Sequence, residues 1–332
     1  MANKNSDLNI FKDIEYAFNN GKNFEIDIDI FQDPVVIFSD HHRGYKKKKD
    51  DFEPCMQTYL NALNYYYNNN YRLILLGDVE DFLENDKVNK DTYNIEFESF
   101  PEIHNKYIDI YELEYKFFDK NKKAGTKPFY LRCFGNHDYK FVYPEHVKKH
   151  LDKTAGYTGI EVYEGIKMNV FDRDIKKTQL YLTHGHQGLY KRDISTLYEF
   201  LTYFFANHIQ TIPTNRSIIS HPKLRSVSRR ETHEGYLTWA KIKQMAVIYG
   251  HTHEPVFDSI KLYDNKIIDV KDQNNDPITS HNAFNTGGFF GDGVISGIEI
   301  TNGEIKLIKW DPQSIDPIPL NREIIDNLII NL

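Results

Sequence analysis

Cysteine is nearly absent from this chain of 332 residues, which carries only Cys55 and Cys133. Two lone cysteines give no disulfide framework, and they exclude a thiolate-rich structural metal site. Long apolar runs are missing as well. No stretch approaches the roughly 18 uncharged apolar residues of a membrane span, and Met1 to Asn9 is polar with no apolar signal core. Those absences are expected of a cytoplasmic protein. Positive charge is not in excess either: the net charge is −7, so the chain as a whole has no general attraction for polyanions, and any nucleic-acid or membrane contact requires a local basic patch. No internal repeat is evident. Apolar residues make up 40% of the chain, enough to fill one large core. The expectation is a single domain over residues 1–332, with a core at about 33–310 and a C-terminal tail at 312–332.

What the chain does contain is an ordered set of polar clusters, each at the end of an apolar run. Asp40-His41-His42 follows Val35 to Phe38, and Gly77-Asp78-Val79-Glu80-Asp81 follows Leu73 to Leu76. Gly135-Asn136-His137-Asp138 follows Phe129 to Phe134, His184-Gly185-His186 follows Leu180 to Leu182, and Gly250-His251-Thr252-His253 follows Ala246 to Tyr249. The apolar runs read as buried strands. At the carboxyl ends of strands in an open α/β sheet, loops far apart in sequence converge on one crevice. Between the runs the period changes to that of helices, as at Met56, Tyr59, Leu60, Leu63, Tyr66 and Tyr67, and again at Tyr107, Ile110, Tyr111, Glu114 and Phe118. After the last cluster, Gly293 to Ile300, Thr301-Asn302-Gly303 and Glu304 to Trp310 read as a β-hairpin.

Imidazoles, carboxylates and one amide oxygen form a mixed N/O donor set without thiolate, suited to Mn, Fe, Co or Zn with open coordination positions. A pair of such ions roughly 3.5–4 Å apart, sharing the Asp78 carboxylate and a hydroxide, would lower the pKa of that water and hold both oxygens of an in-line displacement at phosphorus. A single Gly-Asp or Gly-Asn-His is more often a turn than a ligand, because Asn, Asp and Gly are the common turn residues. Five in order, each after a strand, make the turn reading improbable.

The five motifs in this order resemble the calcineurin-like metallophosphoesterase superfamily over about residues 33–290. The resemblance implies an α/β fold, a two-sheet β-sandwich flanked by helices (α/β/β/α) with a helical cap insertion, and two divalent metal ions, Mn2+ foremost. It implies that Asp40, His42, Asp78 and His253 bind one ion and that Asp78, Asn136, His184 and His251 bind the other, Asp78 bridging them. It further implies that His137 is the general acid toward the leaving oxygen, with Asp138 orienting its ring. In the family the ligand is followed by Gly, which selects His184 and leaves His186 beside the metals or facing substrate. His41 alternates with His42 and is expected as a neighbour. Asp81 is expected to accept a hydrogen bond from a ligating histidine or to cap the following helix. Arg43, the nearest fixed positive charge to the first motif, is expected either to clamp a phosphate or to make a surface salt bridge.

Residues 190–243 form an insertion between the last two histidine motifs. Nine Lys/Arg (191, 192, 216, 223, 225, 229, 230, 241, 243) face four Asp/Glu (193, 199, 231, 234), a net of +5 in an acidic protein. That reversal of sign invites an anionic substrate. Its first part, Leu197 to Ile212, has the aromatic and aliphatic content of an amphipathic or buried helix. Packing of the insertion on itself and a substrate-covering cap are equally compatible with the pattern. Lys46 to Lys49 form a second basic run, beside the first motif. A cap of this kind resembles, loosely, that of the UDP-2,3-diacylglucosamine hydrolases, but His137 stands where those enzymes place an arginine and His186 where they have an aspartate. The reading is therefore a phosphohydrolase acting on a small anionic or lipid-like phosphomonoester, phosphodiester or pyrophosphate. A nuclease or other nucleic-acid phosphodiesterase is the alternative, and a non-catalytic binding protein on the same fold is the third reading.

Overall fold

A computed structural model describes residues 4–324 except 47–49, 87, 90–93, 96, 123–126, 188–221, 258–259, 264–265, 270–282 and 290–291. In chain order the strands begin with β1 (Asn23–Asp29), β2 (Val35–Phe38), β3 (Arg72–Leu76), β4 (Val88–Asn89), β5 (Asn94–Ile95), β6 (Tyr130–Cys133), β7 (Gly165–Asp172) and β8 (Ile175–Thr183). They continue with β9 (Ala246–Tyr249), β10 (Val256–Phe257), β11 (Ile260–Tyr263), β12 (Lys266–Asp269), β13 (Ala283–Asn285), β14 (Ile295–Thr301), β15 (Glu304–Trp310) and β16 (Ile318–Ile324). The α-helices are α1 (Lys4–Asn20), α2 (Met56–Asn68), α3 (Phe82–Asn85), α4 (Phe100–Lys106), α5 (Ile108–Lys120), α6 (Pro144–His146) and α7 (Pro222–Lys243).

Two mixed sheets face each other. One has six strands in the order β16-β15-β14-β2-β3-β6, and the other has eight, β1-β7-β8-β9-β13-β10-β11-β12. Strands β2, β3 and β6 run parallel, as do β8, β9 and β13, while β14 is antiparallel to β2. Side chains alternate across each strand, and here both faces find a partner. Val35, Ile37, Ile74 and Leu76 point into the space between the sheets, against Met168, Leu182 and Ile248. Val36, Phe38, Leu73 and Leu75 point the other way, under Tyr59, Leu63 and Tyr66 of α2 and Ile110 and Phe117 of α5. Tyr181, Val247 and Tyr249 cover the outer face of the larger sheet with Ile10 and Ile14 of α1 and Tyr236 and Trp239 of α7. Strands buried on two sides read as unbroken apolar runs for this reason. The result is the helix/sheet/sheet/helix layering that the sequence implied.

Two features differ from the sequence reading. The core starts before residue 33, because β1 pairs in parallel with β7 and α1 packs beside α7. Ile26 and Ile28 face inward there while Glu25 and Asp27 face out, a half-exposed edge strand whose charges mask the alternation. The tail expected at 312–332 contains β16, paired antiparallel with β15. Of the insertion, 190–221 lies outside the described residues, with it the helix expected at Leu197 to Ile212, and so do residues 47–49 of the lysine run. Pro222–Lys243 is helix α7. No helix among the described residues is long and apolar enough to cross a membrane.

Candidate metal centre

All five polar clusters lie at one end of the sandwich. The loops after β2, β3 and β6 come from the six-stranded sheet, and those after β8 and β9 from the eight-stranded one, so the site straddles both. The backbone sews these loops together. Asp40 N donates to Gly77 O at 3.1 Å, His42 N to Asp78 O at 2.9 Å, and Gly250 N to His184 O at 2.7 Å. Gly135 has no room for a side chain: a Cβ there would overlap the Asp78 carboxylate. Ten non-glycine residues among those described have left-handed φ, and five are candidate ligands: Asp40 (56°), His42 (53°), Asp78 (49°), His251 (67°) and His253 (57°). Such backbone persists only where its surroundings over-determine it, and it collects at functional sites.

The donor atoms gather into three overlapping groups. Those of Asp40, His42 and His253 lie within 4.8 Å of one another, as do those of His42, Asp78 and His137 and those of Asp78, His184 and His251. Asn136 joins the last group, its Oδ1 lying 3.1 Å from His184 Nε2. Asp78 is common to two groups and nearly fully buried. Its Oδ1 accepts His137 N at 2.7 Å, while Oδ2 has no hydrogen-bond partner and lies 3.1 Å from His184 Nε2 and 3.8 Å from His42 Nε2.

These contacts test the fit to metal ions. His184 Nδ1 donates to the Leu76 carbonyl at 2.8 Å, which leaves the Nε2 lone pair of the neutral ring pointing among oxygen acceptors. His42 Nε2 and His253 Nε2 face each other at 3.0 Å, with Asp40 Oδ1 3.4 Å from the second. Converging lone pairs and a carboxylate oxygen without a hydrogen-bond partner repel one another unless a proton or a metal ion lies between them. The donors, N and O with no sulfur, fit divalent ions. The electrostatics agree. Burial pushes the Asp78 carboxyl up, but His184 and His137 hold it well below the usual carboxylate range. Burial opposes a charge on His184, yet Asp78 and Asp40 push it up to about 9, a field that favours positive charge.

His137 sits at the rim of this cluster, its ring set edge-on to that of His42 with centroids 4.5 Å apart. Its Nδ1 is 2.8 Å from Asp81 Oδ1. Burial disfavours the imidazolium, but Asp81 and Asp78 outweigh it and raise the His137 pKa well above its ordinary value. The same Asp81 carboxylate lies 3.6 Å from His42 Nδ1 and accepts Glu84 N at 2.9 Å, so it both contacts histidines and caps α3.

Two sequence expectations are corrected. Asp138 does not orient His137: its carboxylate is taken up by the amides of Gly135, Asp78 and Val79 and by Arg132, and Asp81 holds the ring instead. Arg43 neither clamps phosphate nor lies on the surface. It is fully buried, forked onto Glu114 and ringed by Phe52, Tyr59 and Tyr111. His41 is likewise buried away from the cluster, 4.1 Å from the Phe289 ring and near those of Tyr59 and Phe52. His186 lies beside the His184 and Phe134 rings but in none of the three donor groups. Ser39, whose Oγ donates to Asp40, and Gln187, whose Oε1 accepts Gly185 N at 3.3 Å and the Tyr236 hydroxyl at 2.8 Å, were missed. Neither type stands out in a sequence. Arg132, Glu80 and Glu114 did leave a signal, being charged residues at positions that pattern as core.

The fold and this cradle together define an α/β sandwich protein with His/Asp groups that could hold metal ions. The calcineurin-like phosphoesterase family model matches residues 33–255, and the chain belongs to that family. No curated protein sequence matches it. Among solved structures, vacuolar protein sorting 29 from Cryptosporidium parvum is similar at 10% identity, covering 89% of this chain and 99% of its own, with a TM-score of 0.37.

Proposed function

We propose that the protein is a metal-dependent phosphohydrolase whose substrate is a small anionic or lipid-like phosphoester or pyrophosphate. The observation that carries this reading is the chain of overlapping donor groups Asp40/His42/His253, His42/Asp78/His137 and Asp78/His184/His251, with the Asp78 carboxylate common to the last two and Asn136 alongside. Asp40, His42, Asp78 and His253 would hold one divalent ion and Asp78, Asn136, His184 and His251 the second, with manganese the preferred occupant. When bound, such a pair supplies Lewis-acid activation of the phosphorus ester and of water.

The chain's own residues account for the remainder. Asp78, its Oδ1 committed to the His137 amide, keeps Oδ2 directed at both donor groups. His137, its Nδ1 occupied by Asp81, is left with Nε2 to deliver a proton to the leaving oxygen, and Asp81 stabilises the imidazolium from which that proton comes. The test is hydrolysis of p-nitrophenyl phosphate and bis-p-nitrophenyl phosphate by manganese-loaded protein. Turnover of one or both is expected, with the ratio reporting monoester against diester preference, and no turnover with Mn, Fe, Co or Zn would overturn the reading. Asp78→Ala is expected to lose metal and activity together. His137→Ala is expected to keep metal and lose on the order of 10²–10⁴ in kcat.

A further inference from the structure

Behind the metal cradle lies a buried charge ladder that touches none of the candidate ligand side chains. Arg132 stands in the middle of β6, 1% exposed, between Glu80 and Asp138, both fully buried. It forks onto Glu80 through Nη1 at 3.2 Å and through Nη2, and Nη2 also reaches Asp138 Oδ2 at 3.0 Å. Its guanidinium lies 5.0 Å from the Phe141 ring centroid, and the Tyr111 hydroxyl donates to Glu80 at 2.6 Å. Asp138 meanwhile accepts three amides from two loops: Gly135 N at 2.5 Å, Asp78 N at 3.3 Å and Val79 N at 3.2 Å. The return contact is His137 N onto Asp78 Oδ1 at 2.7 Å. The loop carrying Asp78 and the loop carrying Asn136 and His137 are thus stapled in both directions, each carboxylate holding the other loop's backbone.

A buried carboxylate drawing on three amides holds its place only if its charge is compensated, and Arg132 is the cation in contact with it. Were the ladder there for stability, it would be a poor choice, since well-packed apolar side chains of the same volume do as well or better. It does provide a fixed geometry that an apolar contact lacks, because a forked guanidinium admits one orientation of each carboxylate. We propose that Arg132, acting through Asp138, is a positioning residue that sets the separation of Asp78 from Asn136 and His137. Its catalytic consequence rests on the phosphohydrolase reading, whereas its structural consequence does not.

The experiment uses the full chain with Arg132→Met/Glu80→Gln, which removes one charge of each sign, and Arg132→Lys, which keeps the charge but not the fork. Three readouts are taken: amide hydrogen exchange of peptides covering 76–81 and 133–138 without metal, the electron paramagnetic resonance spectrum with two equivalents of Mn2+, and kcat and KM on p-nitrophenyl phosphate. The double variant leaves Asp138 buried without its cation, so it is expected to melt below the parent and to exchange those amides at least tenfold faster, relative to peptides elsewhere in the sandwich. Its manganese–manganese coupling should be altered, and its kcat should fall on the order of tenfold to a hundredfold at similar KM. Arg132→Lys should recover part of each. A folded double variant with parental exchange and an unchanged spectrum would overturn the proposal. If the double variant does not fold, Arg132→Lys decides alone, parental exchange in those two peptides again counting against it. If the parent protein itself hydrolyses nothing, the phosphohydrolase reading fails, and the exchange measurement still decides the positioning role.

Discussion

The left-handed backbone at Asp40, His42, Asp78, His251 and His253 is where single residues conflict with their own preferences, each at a cost of about 1–3 kcal/mol. The geometry of the candidate ligands is thereby set at the expense of stability, and the conflict can be measured. His253 is partly exposed, with 27% of its side chain accessible, so trimming it loses little packing. Asn tolerates left-handed φ better than His. His253→Asn is therefore expected to leave the metal-free protein as stable as the parent or more so in denaturant titration, while its affinity for Mn2+ falls. A metal-free loss of more than about 1 kcal/mol would contradict stored strain at this position. Asp86 gives a second residue-scale prediction. Burial raises its pKa from 3.8 to about 6, despite the Ser99 amide at 2.8 Å and the nearby charge of Lys46. The folded state thus holds that proton more tightly than the unfolded chain. Its contribution is fully present below pH 3.8, falls as pH rises through the interval to about 6, and is lost above it. Asp86→Asn should accordingly leave stability unchanged at pH 3.5 and raise it at pH 8 by about 1–2 kcal/mol, discounted for partial exposure. Equal melting shifts at both pH values would rule this out.

Elements differ in how plainly the sequence announces them, and the difference follows from what their two faces touch. β2 and β9 were legible to the residue because both faces are apolar, and the β14–β15 hairpin was legible because Asn302 and Gly303 both adopt positive φ, as its two-residue turn requires. β1 was not, since Glu25, Asp27 and Asp29 interrupt a pattern whose inward half is only Ile26 and Ile28. The candidate ligands followed the legible strands, so the candidate donor set could be read, while of its supports only Asp81 was anticipated. Asp81 and Asp138 have the same chemistry at comparable positions in their motifs, and only the directions of the two loops decide which one faces His137. Helix α7 carries the prediction proper to this scale. Tyr236 stacks on Tyr249 with centroids 4.3 Å apart and donates to Gln187, whose carbonyl oxygen also receives Gly185 N, so the helix reaches the His184 loop through one amide. Tyr236→Phe keeps the stack and removes one buried hydrogen bond, an expected cost of about 1 kcal/mol. Tyr236→Ala removes both and should cost about 3–5 kcal/mol, as for other large core aromatics. Chemical denaturation of the two variants checks the ordering, and equal costs would mean that the hydrogen bond, not the packing, ties α7 to the sheet.

At the scale of the whole molecule, the site belongs to neither sheet alone. Asp40, Asp78 and Asn136 are carried by one layer and His184, His251 and His253 by the other, and the shared interior of Ile37, Leu76, Leu182 and Ile248 fixes how the two layers meet. Any unfolding that separates the sheets disperses the donors, so ions that bind the assembled cradle must stabilise the entire sandwich and not merely the loops. For each ion that binds only the folded state, the gain is RT ln(1 + [L]/Kd), about 2.7 kcal/mol at a hundredfold excess over Kd. Manganese is thus expected to raise the melting temperature of the whole transition by several degrees, with a chelator reversing the shift. Asp78→Ala, which removes the carboxylate common to two donor groups, should abolish most of the increment, whereas His137→Ala should retain it. A shift confined to a minor early transition, or one that survives Asp78→Ala undiminished, would place the binding elsewhere than between the sheets.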